Sequence, residues 1–340
     1  MVATIRDVAA KAKVSFQLAS AVLGNKKYAR ASEATRKKIT DAARNLGYVP
    51  NVSAKILRGD ASKIIGVLID SRAPESTFSI LAEIEHCAAL AGYRILIAQA
   101  HDDPEKLLES CKSLRQNGVD GIISFAHDYP LLNCRLDQQL GDDPKIVFVL
   151  NTTTGNGSAV DVDIAGGMKC AVDHLLSNGY RTPALLLLSS TGGQEKLTQS
   201  KQKRLDGFLD SAPAGSRVFC LSAEGNTVDG LAEQCRTLIR EDFPANRVDA
   251  VIAENDNLAA ILMKELLAAG IRIPQDFGLV GWDNLLIGQC LPVKLTTLYY
   301  DRKKIAENTL CMLLDRINGN TGSSCGPFEL NLIVRESSQK

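Results

Sequence analysis

The first 62 residues hold twelve lysines and arginines against four acids, whereas residues 63–340 hold 27 basic and 35 acidic residues. The zero net charge of the 340-residue chain is thus a cancellation of +8 by −8. A small basic segment of this kind suits contact with phosphate, so a nucleic-acid partner is expected at the N-terminal end. No other chemistry is spaced to work. His86, His101, His127 and His174 lack metal-ligand spacing, and the nine cysteines form no C-x-x-C pair. There is no G-x-S-x-G, Walker loop or G-x-G-x-x-G, and Gly155-Asn156-Gly157 lacks the third glycine. Asp161-Val162-Asp163 reads as strand-end polarity in preference to a metal pair. The expectation is a non-enzyme with no metal and no cofactor.

The elements that must carry the basic residues are short helices. Thr4-Ile5-Arg6-Asp7 fits a capping box, predicting a helix from Ile5 to about Lys13. Ser15 caps a second, Phe16 to Leu23, burying Leu18, Ala19, Val22 and Leu23 and ending at Gly24-Asn25. Ser32 opens a third that runs through Leu46, with Ala34, Ile39, Ala42, Ala43 and Leu46 inward, closed by Gly47. Two short helices, a tight turn and a supporting helix make a helix-turn-helix unit. Past Pro50, Asn51 can cap a short helix with Ala54 and Leu57 on one face, and Gly59-Asp60-Ala61-Ser62-Lys63 reads as a linker.

From Ile64 the pattern changes to apolar runs at 64–69, 94–98, 121–125, 145–150, 184–188, 217–219, 250–253 and 278–281, several of them separated by helical segments. Such alternation predicts parallel sheets flanked by helices, and this many strands fit two sheets better than one. With 45% hydrophobic and 23% charged residues the chain is an ordinary globular one. It lacks a secretory leader and any run of about 18 apolar residues, and its odd, scattered cysteines suit a reducing compartment. A cytoplasmic protein without membrane contact is expected.

The sequence resembles the lactose-repressor (LacI/GalR) family of bacterial transcription regulators. In the head the likeness rests on Ala3-Thr4-Ile5-Arg6-Asp7-Val8-Ala9, Val14-Ser15, Ser20 with Val22-Leu23, Ser32-Glu33-Ala34-Thr35-Arg36 and Leu46-Gly47-Tyr48-Val49-Pro50-Asn51. Beyond it, the likeness is carried by Val160-Asp161-Val162-Asp163, Arg204-Leu205-Asp206-Gly207-Phe208, Glu254-Asn255-Asp256, Gly281-Trp282-Asp283-Asn284, Leu295-Thr296-Thr297 and Arg335-Glu336-Ser337.

The resemblance implies an all-α helix-turn-helix DNA-binding domain at 1–50, a hinge helix and linker at 51–62, and an α/β two-lobed periplasmic-binding-protein-like effector domain at 63–340. One lobe would comprise 63–161 and 292–321, the other 162–291 and 322–340, with crossings near Asp161, Leu291 and Thr321. It further implies that Phe16, Gln17 and Ala21 face base edges, that Thr4, Ser15, Ser20 and Asn25 contact phosphate, and that the hinge residues Ala54, Leu57 and Arg58 meet DNA. In the cleft, Arg204, Asn255 and Asp283 would bind the effector, most simply a carbohydrate, with Asn151, Trp282 and Phe78 as further candidates. The implied partners are double-stranded operator DNA, a small effector and a second copy of the chain; without a leucine heptad tail a dimer is favoured over a tail-built tetramer. The chain departs from the family pattern at Lys13, where Gly is usual, at Leu18-Ala19, and at Ala21, where Arg is frequent. A solute-binding protein of the same two-lobed fold is the alternative; it would need a leader and no basic head.

Overall fold

The computed structural model describes residues 3–24, 29–49, 61–70, 73–99, 104–125, 140, 143–150, 159–189, 197–222, 227–322 and 325–340. The chain divides into two compact units, residues 1–62 and 63–340.

The first unit is built from α1 (Ile5–Ala12), α2 (Phe16–Leu23) and α3 (Glu33–Asn45), which pack on one another. Each starts where a side chain satisfies an otherwise unpaired backbone amide. Thr4 and Asp7 form the capping box, while the Ser15 and Ser32 hydroxyls accept from the amides of Leu18 and Thr35. Val8, Ala9, Ala12, Ala19, Val22, Ile39, Ala42 and Ala43 make the core. Lys13 ends α1 in a left-handed conformation (φ 52°, ψ 48°), so the turn keeps the geometry glycine would favour and Lys13 bears the steric cost, ~1–2 kcal/mol. Three expectations need adjustment. Ala34 is exposed because it lies in the first turn of α3, beyond the reach of its neighbours, and Leu18 and Leu23 are only partly buried at the rim.

The second unit holds two sheets. The first has the order β2-β1-β3-β4-β5, all parallel, from β1 (Ile64–Ile69), β2 (Arg94–Gln99), β3 (Gly121–Ser124), β4 (Ile146–Val149) and β5 (Ala159–Val160). Its helices include α4 (Glu75–Leu90) and α5 (Pro104–Gln116). The chain then enters α6 (Ile164–Ser177), β6 (Pro183–Ser189), α7 (Gln199–Ser211), β7 (Arg217–Ser222), α8 (Val228–Thr237), α9 (Phe243–Asn246), β8 (Ala250–Ala253), α10 (Asp256–Ala268), β9 (Gly278–Trp282), α11 (Ile287–Cys290) and β10 (Thr296–Tyr299). The second sheet runs β11-β10-β9-β8-β6-β7, in which β11 (Asn331–Ile333) is antiparallel to β10. The central runs are buried on both faces, as parallel strands covered by helices must be.

The lobe boundary differs from expectation at one crossing. Residues 292–299 belong to the second lobe, because Thr296, Thr297 and Leu298 pair with Val280, Gly281 and Trp282 of β9. The crossing therefore falls at Tyr300-Asp301, not near Leu291, and α12 (Arg302–Ile317) follows it back to the first lobe, packing on α4, β3 and β4. The other two crossings are laced together: Asp163 N donates to Phe328 O and Phe328 N to Asp161 O, both at 2.8 Å.

Candidate DNA and effector sites

On the head, α2 offers a mixed surface. Phe16 is 44% exposed and Gln17 is exposed beside it, which suits a thymine-methyl contact and an amide-to-adenine contact respectively. Ala21 is a correction: it is buried in the head core, packed inward with Ala19 and Val22, and offers no base contact in this arrangement. The Thr4 hydroxyl donates to Asp7 Oδ2 at 2.7 Å and so serves the cap. The Ser15 oxygen accepts from Leu18 N at 3.2 Å, leaving its proton to point outward from an exposed residue. Ser20 is half-buried. Asn25, Ala54, Leu57, Arg58 and Asn151 lie outside the described residues.

In the second unit, the polar groups gather at the carboxyl ends of β8, β9 and β10, where ligands of parallel sheets bind. Asp283 follows β9 and is 5% exposed. Burial pushes its carboxyl up, opposed by the charges of Arg204 and Arg302 and by a hydrogen bond from Ser76 at the start of α4. The Ser76 hydroxyl also reaches Tyr300, whose phenol burial and the Asp283 charge push up, keeping it a neutral donor. Ser76 comes from the first lobe and Asp283 from the second, so the cluster bridges the two. Arg204, on α7, lays its guanidinium 4.4 Å from the centre of the Trp282 ring. Trp282 is 1% exposed; its place is underneath Arg204, where it positions the guanidinium and is not itself a free stacking surface. Lys201 and Lys203 of the same helix pair with Glu254 (3.2 Å) and Asp161 (2.7 Å).

The Asp283 backbone is strained, with φ 97°, and Asn284 follows at φ 49°. Asp256 and Arg335 help hold this turn. Asp256, fully buried, accepts from Leu285 N and from the Thr297 hydroxyl, each at 2.6 Å, and Arg335 donates to Asn284 Oδ1 at 2.7 Å. Burial raises the Asp256 carboxyl to about 6, although those two hydrogen bonds work the other way. Asn255 caps α10, its Oδ1 accepting from Leu258 N at 2.8 Å, which engages its oxygen in the cap.

Arg204, Trp282 and Asp283 thus come together, with Asn255 at the end of the neighbouring strand β8. Phe78 does not join them. It lies on the outer face of α4, lining a groove with Leu81, Ala89, Tyr93, Ile95 and Ile97. Sequence reading missed Ser76, Tyr300 and Arg302 as site residues. Asp256 and Arg335 stood within motifs that could have flagged them.

A helix-turn-helix head on a two-sheet α/β body of the periplasmic-binding type is the architecture of one class of bacterial transcription regulators. Residues 4–51 match the family described as bacterial regulatory proteins, lacI family, and residues 172–338 match the periplasmic binding protein-like domain. The chain is 26% identical to the HTH-type transcriptional repressor PurR of Vibrio vulnificus, covering 99% of both chains, and 24% identical to that of Photobacterium profundum, covering 98% of both. Among solved structures, a lac repressor dimer bound to operator and an anti-inducer shares the fold with a TM-score of 0.83 at 24% identity over the whole of both chains. A CelR–cellobiose complex shares it with a TM-score of 0.67 at 23% identity, over 98% of this chain and 99% of the other. The chain belongs to the LacI/GalR family of DNA-binding transcription regulators.

Proposed function

We propose that this protein is a cytoplasmic, homodimeric repressor. Its paired heads bind the half-sites of a pseudo-palindromic operator, and a small polar effector, a sugar or sugar derivative, bound between the lobes sets the operator affinity. The observation that carries the reading is the Arg204–Asp283–Ser76 cluster, drawn from both lobes, on the same chain as a helix-turn-helix head. An effector touching both lobes discriminates between their arrangements, and only such differential affinity can shift a two-state equilibrium. Two features support the dimer: the apolar groove around Phe78, and Leu90, 78% exposed at the end of α4. A solute-binding protein has no use for the head.

The test is a gel shift with a short palindrome from the protein's own upstream DNA, at fixed salt, with and without a panel of sugars. A specific complex that outlasts random DNA as salt rises is the expected result; binding that fades equally for both sequences would refute it. Arg204→Ala is expected to abolish the effector response while leaving operator affinity nearly unchanged.

A further inference from the structure

Two guanidiniums lie near Asp283 in the cleft. Arg204 and Arg302 both act on Asp283, and Arg302 also donates through Nη2 to the Asp283 backbone oxygen. The nearby lysines are already matched, Lys201 by Glu254 and Lys203 by Asp161. Among the described residues of the cluster this leaves one positive charge in excess. The Nε atoms of both Arg204 and Arg302 are buried without a hydrogen-bond partner, although each is a charged donor. Leaving a buried charged donor unpaired is costly, so two such donors in one cluster favour a ligand that brings acceptor oxygens. A neutral polyol would satisfy them with hydroxyl lone pairs but leave the charge unbalanced; an anionic group would do both.

We propose that the effector carries an anionic group, a phosphate monoester or a carboxylate, seated between Arg204 and Arg302, with Ser76 and Tyr300 holding its hydroxyl-bearing remainder. This rests on the reading of the cleft as the effector site, and makes Arg302 the residue that selects charged over neutral ligands. The upward push on the Asp283 carboxyl from burial acts in the same direction, since any proton it takes up adds to the positive excess.

Trp282 is the only tryptophan in the chain and lies under Arg204, so its emission reports occupancy directly. Full-length protein is titrated at constant ionic strength with matched triples (a hexose, its 6-phosphate and its aldonate) and with inorganic phosphate. Expected is a saturable change in emission with the charged members, at least about tenfold tighter than for the neutral hexose. The phosphate and carboxylate arms identify which anion is used. Arg302→Gln is expected to lose the preference and Arg302→Lys to keep it with weaker binding. The inference is overturned if the neutral hexose binds as tightly as its charged partners, if Arg302→Gln keeps the preference, or if no anion alters the emission. A parallel operator gel shift separates the two readings. Neutral sugars that bind and alter operator affinity would leave the regulator standing and sink the anion. A saturating anion with no effect on any operator complex would do the reverse.

Discussion

Replacing Asp256 by Asn tests how the Asp283-Asn284 turn is held. The wild-type carboxyl is fully buried and its pKa is raised from 3.8 to about 6, first by burial, against hydrogen bonds from Thr297 and Leu285. A carboxyl raised in the folded state is protonated there over a range in which the unfolded chain has already ionised. Its contribution is therefore fully present below about pH 4 and is lost as pH rises through about 6. At about 1.4 kcal/mol per pH unit, two units correspond to about 3 kcal/mol. Asn keeps the shape, with Oδ1 for the Leu285 amide and a rotated Thr297 hydroxyl for Nδ2, but cannot ionise. Urea denaturation of both proteins, followed through Trp282 emission from pH 4 to 7.5, is expected to show the variant gaining about 3 kcal/mol on wild type across that window, whatever its fixed offset. A difference that stays flat with pH, or that moves the other way, would refute the assignment of Asp256 as a strained buried acid.

Lys13→Gly relieves a left-handed side chain but frees the unfolded backbone, so a net gain of roughly 0.5–1 kcal/mol is expected, read by amide hydrogen exchange in α1. Ser15→Ala removes the acceptor for Leu18 N and is expected to cost about 1 kcal/mol in α2, seen as faster exchange there and weaker operator binding. Phe78→Glu puts a charge into the exposed groove on α4; on the proposed dimer, sedimentation is expected to show wild type as dimer and the variant as monomer at the same concentration, and equal behaviour of the two would refute an interface at this groove.

The head was legible because its signals are local. Thr4 with Asp7, Ser15 and Ser32 each cap a helix within three residues, and the structure starts α1, α2 and α3 where those residues stand. Ala21 was not legible, since a single methyl fits inward or outward equally well and only packing against α1 and α3 decides. The strand 296–299 escaped because its partners, Val280 to Trp282 and Asn331 to Ile333, are remote, and four residues show no usable periodicity. Ser76 escaped for the same reason, as did Tyr300 and Arg302. The two segments that carry them lie far apart in the chain, and nothing in the neighbourhood of either announces the other.

The return of α12 to the first lobe has a consequence for biosynthesis. The head folds on contacts made within residues 4–48, so it is complete early in translation. The face of β3 and β4 that α12 covers stays open until residue 317 has been made, and the second sheet lacks its edge until β11 follows. A ribosome stalled late in the message, before α12 has emerged, would hold a finished helix-turn-helix on a body with neither lobe closed. Such a chain is a substrate for chaperones before it is a regulator, and the cell would meet the DNA-binding end first.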